Sequence, residues 1–497
     1  MDYIIVINYL CRFLVLYSFA FLLPLIPALV YGEFSSLLGT FLYSAFTVLG
    51  LGLVGFGATY PFIKGEDRKI QIKESLALVG LGWFFITILG GLPYYFSGTL
   101  SLLDGVFESV SGFSTTGASV IEKVELVPKG LLFWRAFTHF LGGMGIVVIF
   151  ISVFPYLGVG GRFLLESESF APDVRFIKPR IKETVRQILL VYILLTVIQT
   201  ILLTLCGMSL FDAVCHSFAT LSTGGFSTKN KSIDSFESLP IEIITIVFML
   251  CGATNFSLMY QVLRGDILAP FKNTEWKYFI GIWLISVLLI SLCLLGVHGV
   301  YDSGGKDSTF GIGESLRYST FTFTSLFTCT GFTTKDYDNW HSFIRWYLMV
   351  MVIVGGCAGS TSGGIKVIRF IILLKMLKNR LFMVFQPRAV RAVVVGKQVV
   401  SEDIQKAVRD FFALWIILIM LGSLILCWTG LPIETSVSAV MVCLSGVGPG
   451  LDKVGGCESY GNIPQLAKVV LSLLMLMGRL ELYTILVLFL PSFWWKK

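Results

Sequence analysis

The chain has 497 residues, of which 55% are hydrophobic and only 14% charged, and its mean hydropathy is +0.81. Soluble domains carry about 25% charged residues, so this composition excludes a soluble enzyme, a disordered chain and a disulfide-rich secreted module. The formal net charge of +7 is informative only through its distribution along the chain, because membrane proteins sort charge by side.

A helix needs about 20 apolar residues to cross a bilayer. In chain order, charge-free runs of that length cover 13–32, 34–63, 75–103, 136–161, 187–211, 243–263, 278–301, 346–365 and 411–433. A tenth, 469–490, is broken only by Arg479 and Glu481. The expected fold is therefore an all-α polytopic membrane protein with about ten spans. The first run is not a signal peptide: it is long, carries Pro24 and Pro27, and lacks a small-residue cleavage site. The ten cysteines contain no CxxC pair and mostly sit in or beside apolar runs, which reads as small buried hydrophobes.

Four shorter charge-free stretches, 109–121, 213–228, 318–334 and 435–451, lie between the long ones. At about 1.5 Å per helical residue they are too short to cross, so they are expected to enter and leave on one side. Each ends in a glycine-centred tract: Ser114-Thr115-Thr116-Gly117-Ala118, Ser222-Thr223-Gly224-Gly225-Phe226, Cys329-Thr330-Gly331-Phe332 and Ser445-Gly446-Val447-Gly448-Pro449-Gly450. Aligned on Gly117, Gly225, Gly331 and Gly448, the spacings are 108, 106 and 117 residues, an internal repeat. Each unit reads as long helix, short helix, glycine tract, long helix. The expected divisions are 1–63 for an extra N-terminal pair, then 64–161, 162–264, 265–375 and 376–497 for units one to four. Asp104 and Glu108, Asp212, Glu314 and Glu434 open the short helices, where a carboxylate suits the positive end of the helix dipole.

The connectors 64–75, 162–186, 264–277 and 366–410, with Lys496-Lys497, hold 25 of the 38 Lys and Arg. The positive-inside rule puts them and both termini in the cytoplasm. The opposite face is net acidic and would concentrate cations; nothing in the charge pattern calls for nucleic acid.

Non-helical backbone at membrane depth leaves carbonyls unpaired, which costs several kcal/mol per group unless something solvates them. Rings of carbonyls do this for dehydrated K+ in selectivity filters, and glycine permits the positive φ and open lumen required. Thr116, Gly117, Thr223, Gly224, Gly225, Thr330, Gly331, Val447 and Gly448 are the expected filter residues, with Ser445 as a further hydroxyl.

These residues carry a resemblance. The chain resembles the membrane subunit of Trk-type bacterial potassium uptake systems, in the Trk/Ktr/HKT superfamily. The likeness rests on Ser111-Gly112-Phe113-Ser114-Thr115-Thr116-Gly117-Ala118, Gly224-Gly225-Phe226, Thr330-Gly331-Phe332-Thr333-Thr334 and Gly446-Val447-Gly448-Pro449-Gly450. It also rests on the stretch from Gly355 to Lys366 and on Met477-Gly478-Arg479-Leu480-Glu481, and it covers nearly the whole chain. It implies four helix–pore-helix–helix repeats in pseudo-fourfold order around one pore. It also implies K+ as the ion in the path, no covalent cofactor, a homodimer in the bacterial inner membrane, and a cytosolic nucleotide-binding regulatory subunit. The fourth tract departs from the family, where an asparagine-containing tract is more usual. Some sodium-selective plant relatives carry serine at the position of Gly117, so glycine there implies K+.

Gly355, Gly356, Gly359, Gly363 and Gly364 fall within ten residues of a long run and should break a helix. The stretch fails the phosphate-loop pattern, because Ile365 follows Gly364 where lysine is required. By resemblance it is an intramembrane gating loop. Arg479 would cost at least ~2.5 kcal/mol at mid-helix unless partnered. Glu481, two residues on, faces another side, so carbonyls freed by the glycine loop are the expected partners, as in the family. His139, His216, His298 and His341 lack metal spacing and read as structural. Asp212 and Glu434 read as helix caps, and Arg135 beside Trp134 as an interface anchor. The basic segment 366–409 reads as a cytoplasmic connector that docks the regulatory subunit or anionic lipid. The competing readings are a cation-coupled K+ symporter and an intramembrane enzyme, for which the spans supply no nucleophile–base pair.

Overall fold

The computed structural model describes residues 1–62, 71–153, 181–296, 310–387, 391–396 and 398–495. The expected unit boundaries at 63/64 and 161/162, His298 and Lys496-Lys497 lie outside the described residues, as does most of the connectors 64–75 and 162–186.

Among the described residues, six helices are long and apolar enough to cross a membrane: Tyr3–Val30, Phe34–Phe62, Lys73–Phe96, Arg186–Leu205, Thr274–Leu295 and Glu402–Trp428. Two further candidates are bent pairs, Leu239–Gly252 with Phe256–Leu263 at 110° and Gln465–Arg479 with Tyr483–Phe489 at 118°. The other two expected runs are broken as well. Lys129–Val153 leaves helical geometry at Gly145, with φ 49° and ψ −175°. Helix Ser342–Val354 ends in irregular chain before Val367–Phe385 begins. By length and composition, six helices among the described residues pass as spans, or eight if each bent pair is one span; the other two of the ten expected runs are 136–161, described to residue 153, and 346–365. The four expected runs outside the six share one feature: each is the interrupted last long helix of its unit.

The four short helices are Leu102–Phe113, Leu210–Leu221, Ile312–Phe327 and Ile433–Ser445. Their starts are fixed as the carboxylate pattern suggests. Ser101 Oγ accepts from Asp104 N (3.2 Å) and donates to Asp104 Oδ2 (2.8 Å). Ser209 and Asp212 repeat this at 3.1 and 2.7 Å, and Gly311 N donates to Glu314 Oε2 at 3.2 Å. Helix Ile433–Ser445 has no side-chain cap; its Glu434 pairs with Arg345 of helix Ser342–Val354 instead.

The packing order is cyclic. Lys129–Val153 packs on Leu210–Leu221, Leu239–Gly252 on Ile312–Phe327, Ser342–Val354 on Ile433–Ser445, and Gln465–Arg479 on Leu102–Phe113. Each interrupted helix therefore leans on the next unit's short helix, and the fourth returns to the first. Helix Tyr3–Ser18 packs outside this circle, against Phe34–Thr59 and Ile72–Leu89. The one departure from all-α structure among the described residues is a hairpin, Val394–Val395 against Gln398–Val399, antiparallel with Val394 opposite Val399.

Candidate functional site: a ring of glycine backbone

Each short helix ends in the same hydrogen-bond pattern. The residue two before the aligned glycine takes a positive φ: Thr115 at 54°, Thr223 at 54°, Cys329 at 58° and Gly446 at 71°. Its N–H bonds the carbonyl three residues back, and the next N–H reaches five back: Thr116 N to Ser111 O (2.9 Å), Gly224 N to Ala219 O (2.8 Å), Thr330 N to Ser325 O (2.8 Å) and Val447 N to Val442 O (2.9 Å). This is a Schellman ending, forced on non-glycine residues in three of four cases at about 1–2 kcal/mol each. The aligned glycine then takes a second positive φ: Gly117 at 83°, Gly225 at 80°, Gly331 at 88° and Gly448 at 88°.

The tracts meet in one circle. A methyl group on Gly117 would overlap the carbonyl oxygen of Gly224, and one on Gly225 that of Thr330. On Gly331 it would overlap Val447 O, and on Gly448 it would lie 2.6 Å from Thr116 O. The carbonyl before each glycine thus lies against the preceding tract's glycine, all the way round. Behind this circle the side chains of Thr116, Thr330 and Val447 are wholly buried. Thr116 Oγ1 bonds Ser114 Oγ (2.7 Å) and Thr330 Oγ1 bonds Thr328 Oγ1 (2.8 Å). On one side the circle opens into a depression lined by Gly117, Gly225, Gly331 and Gly448 with Glu122 and Glu458.

The wall around the ring is tied by ion pairs. Glu108, wholly buried, accepts from Arg135 Nε (2.6 Å), Ser119 Oγ (2.9 Å) and Val120 N (2.9 Å). Arg135 Nη1 also donates to Ser227 O (2.8 Å), and its guanidinium lies 3.6 Å from the centre of the Phe226 ring. Arg135 is therefore a buried strut between units one and two, not the interface anchor expected from Trp134 beside it. Units two and three are joined by Arg317 with Glu242 (2.6 Å), three and four by Arg345 with Glu434, and four and one by Lys468 with Asp104 (2.7 Å).

The glycine stretch of unit three passes along the other side of the ring. Gly355, Gly359 and Gly364 have positive φ. Gly364 N donates to Ser445 O (2.9 Å), at the end of the fourth short helix, and Thr361 Oγ1 donates to Leu221 O (2.8 Å), at the end of the second. A methyl group on Gly363 would overlap Ser445 O, and one on Gly356 would lie 2.8 Å from Ala253 O. Arg479 Nη1 donates to Thr361 O (2.7 Å), and Nη2 donates to Gly142 O (2.6 Å) and Gly143 O (3.2 Å). It thus ties the loop to the kinked helix of unit one. Glu481 pairs with Arg369. Glu275 Oε1 accepts from Ala358 N (2.8 Å) and Ile368 N (3.3 Å), on either side of the loop's tip.

Sequence reading found one of four interruptions. The others are at Gly145, at Ala253 to Asn255 and at Leu480 to Leu482. A signal existed in three glycines that abut short-helix ends: a methyl on Gly142 would overlap Phe113 O, on Gly478 it would overlap Leu444 O, and on Gly252 it would lie 3.2 Å from Leu221 O.

Helices long and apolar enough to cross a membrane, around four short helices that deliver bare backbone to one circle, define the class as a membrane-embedded transport protein. A family model, TrkH, described as cation transport protein, matches residues 60–496. The chain belongs to this family. It is 36% identical over 98% of both chains to the Trk system potassium uptake protein TrkH of Halomonas elongata, and 34% identical over 97% of both to that of Salmonella typhimurium. The crystal structure of the potassium transporter TrkH from Vibrio parahaemolyticus superposes with a TM-score of 0.86 at 32% identity, covering both chains completely.

Proposed function

We propose that this chain takes up K+ across the bacterial inner membrane, with the four tracts forming one selectivity filter between four pseudo-symmetric repeats. The observation that carries this reading is the closed order of glycine against carbonyl, Gly117 to Gly224, Gly225 to Thr330, Gly331 to Val447 and Gly448 to Thr116. Such backbone is tolerated at membrane depth where an ion or water solvates it. The four short helices end at the ring, so their negative dipole ends favour a cation there. Thr116, Gly117, Thr223, Gly224, Gly225, Thr330, Gly331, Val447 and Gly448 are its filter residues.

Gly355, Gly356, Gly359, Gly363 and Gly364 form the gate, and Arg479 holds it closed. A cytosolic nucleotide-binding subunit opens it, and the chain works as a homodimer with both termini cytoplasmic. The relatives' names, Trk system potassium uptake protein, support the ion and the multi-component system. The test is uptake of radiolabelled Rb+ into proteoliposomes, with and without the regulatory subunit, under imposed potentials and K+ or Na+ competition. Flux that follows the potential, is displaced by K+ and ignores Na+ is expected. Flux that persists against the potential when a proton gradient is supplied would replace the pore with a coupled carrier.

A further inference from the structure

The ring is not symmetric at its back. Unit two has no side chain where the other units place Thr116, Thr330 and Val447; it has Gly224. The vacant space is filled from the neighbouring unit by His139, on helix Lys129–Val153. A methyl group built on Gly224 would fall within the imidazole, 2.5 Å from its Cε1. The imidazole is wholly buried. It stacks on Phe226, centres 4.0 Å apart and planes 7° from parallel, and Phe226 also carries the Arg135 guanidinium.

Burying a polar ring carries a desolvation cost that a hydrocarbon does not. The cost is not needed to fill the space, because a hydrocarbon would do it. Met249 and Met475 stand at the equivalent offset in units two and four, three residues before Gly252 and Gly478, and both are buried. Only unit one places a hydrogen-bonding ring there.

We propose that His139 is the specificity-determining back wall of the second filter tract: its imidazole takes the place of the side chain that Gly224 lacks and positions the Gly224 carbonyl. This rests on the ring being the ion path. The carbonyl it positions lies on Gly117 of the first tract, so His139 sets the spacing between tracts one and two. The imidazole presents a polar edge where units two and four offer a thioether.

The test is a reciprocal exchange, read as Rb+ uptake and as K+ over Na+ preference. His139→Ala leaves room for the Gly224 backbone to move and should lower the preference about tenfold or more, with uptake retained. Gly224→Ala alone puts a methyl into the imidazole and should cut uptake at least about tenfold. The pair together should recover most of both, because the new methyl occupies the vacated space; coupling of this kind marks groups in contact. His139→Met separates filling from polarity: restored uptake with reduced preference is expected. Monodispersity in detergent is checked for each variant, and Phe41→Ala, a cavity variant on helix Phe34–Thr59 outside the circle of packed units, should lose stability with unchanged preference. Unchanged preference in His139→Ala, or a double variant no better than Gly224→Ala, overturns the proposal. Gly331→Ser keeps the two readings apart: if it also leaves preference unchanged, the ring itself is not the filter. If it alone alters preference, the filter stands and His139 is only packing.

Discussion

Removing the Arg479 side chain tests the gate. Its guanidinium makes three bonds to backbone carbonyls, at 2.7 Å to Thr361, 2.6 Å to Gly142 and 3.2 Å to Gly143. Bonds from a charged donor contribute about 1.5–3 kcal/mol each. Arg479→Ala deletes all three and lets water enter, so part of the loss is recovered. A conservative remainder of about 3 kcal/mol shifts the closed-to-open ratio by on the order of a hundredfold. In proteoliposomes without the regulatory subunit, Rb+ flux should therefore rise from near zero toward the nucleotide-activated level. Arg479→Lys is the informative companion. An ammonium keeps the charge but has no planar fork to span Thr361 and Gly142 together. If bridging closes the path, the lysine variant leaks too. If the positive charge alone repels ions, it stays shut. An alanine variant that stays shut, and whose flux keeps its full nucleotide dependence, refutes both.

Gly117→Ser puts a Cβ onto Gly224 O at φ 83°, a conformation costing about 1–2 kcal/mol for a non-glycine residue. Preference for K+ over Na+ in competition uptake should fall about tenfold or more; an unchanged ratio rejects the alignment. Glu108→Ala leaves Arg135 buried without its carboxylate, which should cost about 3–5 kcal/mol. A melting temperature in detergent equal to that of the parent would show that Ser227 O alone satisfies the guanidinium. Asp338, in the loop before helix Ser342–Val354, has its pKa pushed up to about 7, first by burial and then by Asp336, against the pull of Arg345. Its folded value lies above its ordinary value of about 4, so the folded protein holds this proton more tightly. The stabilisation is complete below pH about 4 and is lost as pH rises through about 7. Thermal stability should fall from pH 5 to pH 8, and Asp338→Asn should flatten that slope; a variant with the parent's slope assigns it to another group.

Much of the ring was legible because its requirements are local. Glycine at 117, 225, 331 and 448 is demanded by a positive φ and a neighbouring carbonyl, and spacing exposes the repeat. The Schellman endings were not legible, since Thr115, Thr223 and Cys329 are poor left-handed residues and only Gly446 advertises the turn. The breaks in the other interrupted helices were hidden for the opposite reason. Gly145 sits in an apolar run with glycines at 142 and 143, and Ala253 to Asn255 and Leu480 to Leu482 contain no helix breaker. Tertiary contacts hold them open: Cys357 N donates to Ala253 O (2.9 Å) and Phe256 N to Gly359 O (3.1 Å). The partners of Arg135, Glu275 and His139 are far along the chain, and no spacing rule reaches them. Composition marks apolar length and not whether the hydrogen-bond ladder is continuous, so it gave no sign that four of the ten runs are interrupted.

The two faces of the ring are joined by different bonds. Around the ring, neighbouring units are joined by side-chain ion pairs: Arg317 with Glu242, Arg345 with Glu434 and Lys468 with Asp104. Breaking one leaves a charge in a half-buried wall, so this layer resists rearrangement. Beneath the ring the joints are hydrogen bonds to backbone carbonyls, from Gly364 to Ser445, from Thr361 to Leu221 and from Arg479 to Thr361 and Gly142. Water or another donor can replace each of these without stranding a charge except at Arg479. Non-glycine residues with positive φ occur at this level, at Lys366, Glu481 and Leu482, as they do in the ring at Thr115, Thr223 and Cys329, so strain does not separate the two layers and bond type does. A layer with exchangeable bonds below a layer of ion pairs can move while the ring holds its shape. The Arg369–Glu481 pair joins two of the strained segments, so the loop's exit and the bend of Gln465–Arg479 are expected to change together.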